Sequence, residues 1–110
     1  MKPPVWISLH MTNSPTFESS KVFHNVARQR FELHVGEALC VLDYRLAPGK
    51  LVIHHTEVPQ PLENRGRAAL MTRAALDFAR AEHLTVEPRC PYTIAFMQKN
   101  PEFADLLAPR

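Results

Sequence analysis

The residues best suited to chemistry in this chain lie close together. Ile53-His54-His55-Thr56-Glu57-Val58-Pro59 places two histidines and a carboxylate at the end of a β-branched run, and Glu63-Asn64-Arg65-Gly66-Arg67-Ala68-Ala69-Leu70 follows after a short Pro-broken loop. The second block is a small-residue turn, flanked by arginines, that opens an amphipathic helix. Such a turn presents backbone N–H groups and the positive end of a helix dipole to an anion. Gly66 and Ala68 leave room for phosphate oxygens to approach the backbone, and Arg65 and Arg67 can add charge-assisted hydrogen bonds. The block is expected to form a pyrophosphate cradle; the alternative is an ordinary strand-to-helix loop with solvated arginines.

His55 and Glu57 are two apart on a predicted strand, so they share a face at roughly 6.5–7 Å. Either can act as general base, accepting a proton from an incoming amine; the alternative is a hydrogen-bonded histidine beside a solvated glutamate. His54 is expected on the opposite face and is the weaker candidate. The His54-His55 pair is a poor zinc site, because adjacent strand residues face apart and no second ligand cluster has the usual spacing. No metal is expected. Cys90 precedes Pro91 at a predicted helix N-terminus and follows Arg89, features that favour the thiolate. It can be a nucleophile, line a thiol-binding channel, or be a small core residue, as Cys40 is expected to be in mid-strand. Competing motifs fail. With Gly36, Gly49 and Gly66 as the three glycines, neither a Walker loop nor a dinucleotide fingerprint can be written, and no Ser–His–Asp arrangement with a nucleophile elbow is present.

These residues need elements to position them. Residues 1 to about 21 lack any period, carry Pro3, Pro4 and Pro15, and read as a flexible arm that can dock through Trp6; the folded part is expected over 22–110. Arg30 to Val35 alternates, Gly36-Glu37 turns, and Ala38 to Leu46 is a longer strand expected to be mostly buried on both faces. Ala47-Pro48-Gly49-Lys50 is a turn, and Leu51 to Val58 completes an antiparallel meander. From Gly66 to His83 the period becomes helical, with Leu70, Met71, Ala74, Ala75, Phe78 and Ala79 on one face and an Arg73–Asp77 pair on the other. Leu84 to Val86 closes a β–α–β unit, so it should run parallel to the strand before the helix. Pro91 then starts a second helix, Asn100-Pro101 ends it, and Phe103 to Leu107 forms a last turn. A parallel pair of this kind opens a ligand crevice at its carboxyl end. Three segments converge there: His55 to Pro59, the turn Asn64 to Ala69, and Cys90.

Composition bounds the rest. The 110 residues suffice for one domain, and a formal charge of +2 gives no reason to expect nucleic acid or an anionic membrane surface as partner. Two cysteines make no disulfide framework and read as reduced thiols, which fits a cytoplasmic protein. No apolar run is long enough to span a membrane. A monomer or weak dimer is expected.

The order of these blocks resembles the GNAT superfamily of acyl-CoA-dependent N-acetyltransferases, in its compact single-domain branch. The resemblance runs from about Val22 to Leu107. Arg30-Phe31-Glu32-Leu33, the Tyr44 strand, His55 to Pro59, Arg65 to Ala69, Ala74 to Ala79, and Cys90-Pro91-Tyr92 with Asn100-Pro101-Glu102-Phe103 carry it. It implies a small α/β fold, a mixed sheet flanked by helices, with acetyl-CoA between splayed parallel strands. Backbone groups around Thr56 to Val58 would pair with the pantetheine, and Asn64, Arg65, Gly66, Arg67, Ala68 and Ala69 would hold the pyrophosphate. Glu63 stands where the family's turn has Gln or Arg, which puts an anion near the phosphates. Cys90 would lie near the thioester. The implied reaction is acetyl transfer to an amine acceptor that the resemblance leaves open. A non-catalytic CoA-binding or protein-interaction module with the same fold is the alternative.

Overall fold

In a computed structural model the described residues are 22–60 and 66–109. The predicted arm with Trp6, and Glu63, Asn64 and Arg65 of the turn, lie outside them. The described strands are β1 Val22–Asn25, β2 Arg30–Val35, β3 Ala38–Ala47, β4 Lys50–Glu57 and β5 Thr85–Pro88; the helices are α1 Arg67–Ala81, α2 Pro91–Lys99 and a closing 3-10 helix over Pro101–Leu106. The strands form one sheet in sequence order, antiparallel from β1 to β4 and parallel between β4 and β5. The meander and the β–α–β unit stand where the sequence puts them. β1, an edge strand, is an element the periodicity does not predict.

Alternation decides what each strand buries. Phe31 and Leu33 on β2, Cys40, Leu42 and Tyr44 on β3, Leu51 and Ile53 on β4, and Val86 on β5 pack against Met71, Ala75, Leu76 and Ala79 of α1. β3 is therefore buried on one face only, not on both as expected, since Val41 and Asp43 between its core residues are half-buried. Gly36 and Gly49 take positive φ in the hairpin turns, a conformation a Cβ disfavours. α1 ends with His83 at φ 60, its N–H bonded to the Arg80 carbonyl and that of Leu84 to the Ala79 carbonyl. This is a Schellman closure with histidine where glycine is usual.

The expected Arg73–Asp77 pair gives way to tertiary contacts. Arg73 reaches Glu102 at 3.4 Å, and Arg80 grips Asp105 at 2.8 and 3.1 Å and the Glu102 carbonyl at 2.9 Å. Both guanidinium groups also lie over the Phe103 ring, at 5.3 and 5.9 Å, so the exposed side of α1 is tied to the 3-10 helix. The chain beyond that helix runs along the free edge of β5, where Leu107 bridges to Val86 and the Ala108 N–H donates to the Val86 carbonyl at 2.8 Å.

Candidate active site

The site begins where two strands part. β5 pairs with β4 from Lys50↔Thr85 to Ile53↔Pro88, and the Arg89 N–H closes the ladder on the Ile53 carbonyl at 2.9 Å. β4 continues to Glu57 on its other partner, β3. From His54 onward β4 has lost β5, and Pro88 leaves no N–H with which to prolong the pairing. The two parallel strands therefore part at their carboxyl ends, beyond Ile53 and Pro88.

A bulge at the same place sets which side chains face it. Tyr44 pairs with Ile53 but Asp43 pairs with His55, so His54 is an extra residue in β4. Residues directly opposite one another share a face. Thr56, opposite Leu42, therefore returns to the core side, while His55 and Glu57, opposite Asp43 and Val41, face outward. Strict alternation from Ile53 would have put His55 in the core. Instead the His55 and Glu57 side chains are 56% and 67% exposed, with Nε2 and Oε1 3.5 Å apart. They share a face as predicted. They do not share the face of Thr56 and Cys90.

Across the opening stands Cys90, the residue before α2, with Pro91 at the first helical position. It is 6% exposed, and its thiol donates to Thr56 Oγ1 at 3.6 Å. Burial raises the thiol's pKa and is the largest single influence. The N–H groups of Thr93 and Tyr92 and the hydroxyls of Thr56 and Thr93 together outweigh it, and the net displacement is downward from 9.0. The predicted help from Arg89 does not materialise: its guanidinium is held by Glu87 at 2.7 Å. Cys40 behaves as a core thiol, pushed up by burial against a smaller opposing pull from Arg67.

The third segment is the start of α1. Gly66 has φ +81, and a Cβ built there would meet nothing within 4 Å among the described residues. Among the described residues no side chain caps this helix, and its first turn carries no acid. The first turn of a helix has N–H groups with no acceptor inside the helix, and Ala68 and Ala69 lie in that turn of α1. Asn64 and Arg65 lie outside the described residues. Val58 follows the end of β4 and packs on the core.

A cavity of about 640 Å³ lies elsewhere, lined by Pro88, Arg89, Ile94, Met97 and Leu107 among others. Leu107 occupies the edge of β5 away from β4, so this cavity extends along that edge. Among the described residues no group of three or more His, Cys, Asp or Glu is arranged to hold a metal, and no helix is long and apolar enough to cross a membrane.

The profile of the GCN5-related N-acetyltransferases matches residues 30–106, and the chain belongs to that family. Protein NATD1 of Bos taurus is 32% identical over 94 residues, covering 81% of this chain and 83% of the relative. Protein NATD1 of Xenopus tropicalis is 31% identical over 96 residues, covering 83% and 88%. The solution structure of a GCN5-like protein from Staphylococcus aureus superposes with a TM-score of 0.67 at 20% identity, covering 86% of this chain and 93% of that one. That likeness establishes the fold.

Proposed function

We propose that this protein transfers an acetyl group from acetyl-CoA to an amine. The observation that carries the reading is the parting of β4 from β5 at Ile53/Pro88, with Thr56 and Cys90 on the two walls of the opening. Bound acetyl-CoA would supply an activated acyl thioester. Residues Thr56 to Val58 would pair with its pantetheine, and the start of α1 from Gly66 to Ala69, with Asn64 and Arg65, would hold its pyrophosphate. The acceptor nitrogen would attack the thioester carbonyl carbon, the tetrahedral intermediate would collapse with cleavage of the C–S bond, and coenzyme A would leave as a thiolate that takes up a proton from solvent. The proton lost by the amine would go to His55 or Glu57 through water, since both side chains face away from Thr56 and Cys90. Backbone N–H groups near Thr56 to Val58 would stabilise the tetrahedral oxyanion. Direct attack needs no acyl-enzyme, so Cys90 is assigned a lining role beside the thioester.

The test is acetyl-CoA turnover with a panel of amines: small metabolites, polyamines and lysine peptides. Turnover with one class, reduced roughly 10²–10⁴-fold by His55→Ala, supports the reading and His55 as base. A variant with nearly full activity transfers the role to Glu57. Tight binding of acetyl-CoA without turnover of any amine is the behaviour of a non-catalytic CoA-binding module and would replace this reading.

A further inference from the structure

The cavity of about 640 Å³ along the outer edge of β5 takes no part in the proposed acetyl transfer. Among the described residues the tail pairs with β5 at Val86 alone, and Pro88 has no N–H to carry that pairing further. Ile94, Met97 and Gln98, spaced i, i+3 and i+4, line the space from one face of α2, and Leu107 lines it from the tail. Ile94 is 41% and Leu107 50% exposed, so two large apolar side chains border the space without cover. Small-molecule sites occupy about 300–1,000 Å³ and combine such apolar walls with a few fixed polar groups. Here the charged groups are Glu87 and Arg89. Glu87 accepts from Lys50 at 2.9 Å and from Arg89 Nε at 2.7 Å. Those bonds lower its pKa, so it stays ionised. One carboxylate against two cations leaves a positive charge uncompensated. Arg89 spends Nε on Glu87, and its two terminal nitrogens have no partner among the described residues.

We propose that this cavity binds a small carboxylate with an apolar body, the body against Ile94, Met97 and Leu107 and the carboxylate on the terminal nitrogens of Arg89. A planar carboxylate matches a guanidinium edge in a bidentate pair, and the bond from Nε to Glu87 holds the guanidinium in place. An ammonium head would meet the uncompensated positive charge, and a neutral head would leave it unanswered. A fatty acid and an N-acylated apolar amino acid both carry this chemistry. The inference does not rest on the acetyl-CoA reading, because the cavity includes none of the residues assigned to the thioester, the pantetheine or the pyrophosphate.

The experiment labels the methionine methyl groups of the full chain and follows them by NMR, without acetyl-CoA, as octanoate, N-acetylleucine, octylamine or 1-octanol is added. Met97 lines the cavity and Met71 lies in the core, so the Met97 resonance should move with a carboxylate and the Met71 resonance should stay. Whichever of octanoate and N-acetylleucine binds more tightly identifies the source of the carboxylate. Octanoate should bind roughly threefold or more tighter than 1-octanol, and octylamine should bind most weakly. Arg89→Gln should weaken octanoate roughly three- to tenfold, the scale of one charge-assisted pair, and change 1-octanol less than about twofold. Ala104 is exposed and lines the cavity, so Ala104→Trp fills the space from its solvent side and should abolish the Met97 response. A Met97 resonance indifferent to both carboxylates, equal affinity for octanoate and octylamine, or equal effects of Arg89→Gln on octanoate and 1-octanol would each overturn the assignment. The titrations of the unsubstituted protein do not depend on a variant folding, and their failure leaves the acetyl-CoA reading standing.

Discussion

Substitution of Gly66 separates the helix-terminus cradle from the fold that presents it. Gly66 sits at φ +81, and a Cβ there meets no atom of the described residues within 4 Å. Left-handed backbone strain should cost Gly66→Ala about 1–2 kcal/mol, which lowers the melting temperature of a domain this size by roughly 4–16 °C. Gly66→Glu carries the same strain and adds a carboxylate beside the first N–H groups of α1. At the effective dielectric of a protein surface, two unit charges at contact distance repel by about 4 kcal/mol, less at longer range. A carboxylate facing a pyrophosphate should weaken binding by about a hundredfold or more. The assay is a thermal melt with and without acetyl-CoA, backed by calorimetry. At one hundred times Kd the ligand should stabilise the unsubstituted protein by about 2.7 kcal/mol, a rise of roughly 10–20 °C. Gly66→Ala should retain most of that rise and Gly66→Glu should lose it. Equal ligand-induced shifts for the two variants would show that no phosphate approaches Gly66 and would refute the cradle.

Further outcomes follow from the cysteines, the β1 histidine and the α1 terminus. Under native conditions an alkylating reagent should label Cys90 before Cys40, with a pH midpoint below 9.0 and slower labelling when acetyl-CoA is bound; Thr56→Val removes one donor to the thiolate and should slow the reaction at neutral pH by about two- to fivefold. Preferential labelling of Cys40 would place Cys90 outside the site. His24 stacks on Phe31 at 4.1 Å and bonds the Tyr44 hydroxyl at 2.6 Å, and burial lowers its pKa below 6.5. The unfolded chain thus binds this proton more readily, so the stabilisation is complete above pH 6.5 and is lost as pH falls through the lower folded-state value. Urea titrations across that range should show the decline, and His24→Gln should flatten it; an unchanged slope would show that other groups cause it. His83→Gly relieves a left-handed non-glycine residue and should stabilise the protein by about 0.5–1 kcal/mol, seen as a melting temperature raised by roughly 2–8 °C; no rise would mean that the histidine ring compensates for its backbone.

The sequence by itself determined the elements and their order. Alternation in Arg30 to Val35 and from Leu51 onward, the turns at Gly36 and Gly49, the helical period after Gly66 and the proline at position 91 are local signals, readable because each rests on residues a few places apart. They sufficed to place β4, α1 and β5 in a parallel crossover and to bring Thr56, Gly66 and Cys90 to one end of it. What required the tertiary structure was everything set by pairing across distance. β1 is four residues long and exists because β2 offers it an edge. Arg73 and Arg80 chose partners on the 3-10 helix over one on their own helix because folding brought carboxylates and the Phe103 ring against α1. Above all, the bulge at His54 is a mismatch in register between β3 and β4, and no pattern within β4 alone encodes it. That one extra residue reverses the phase of the strand, turning Thr56 toward Cys90 and His55 and Glu57 to the outer face.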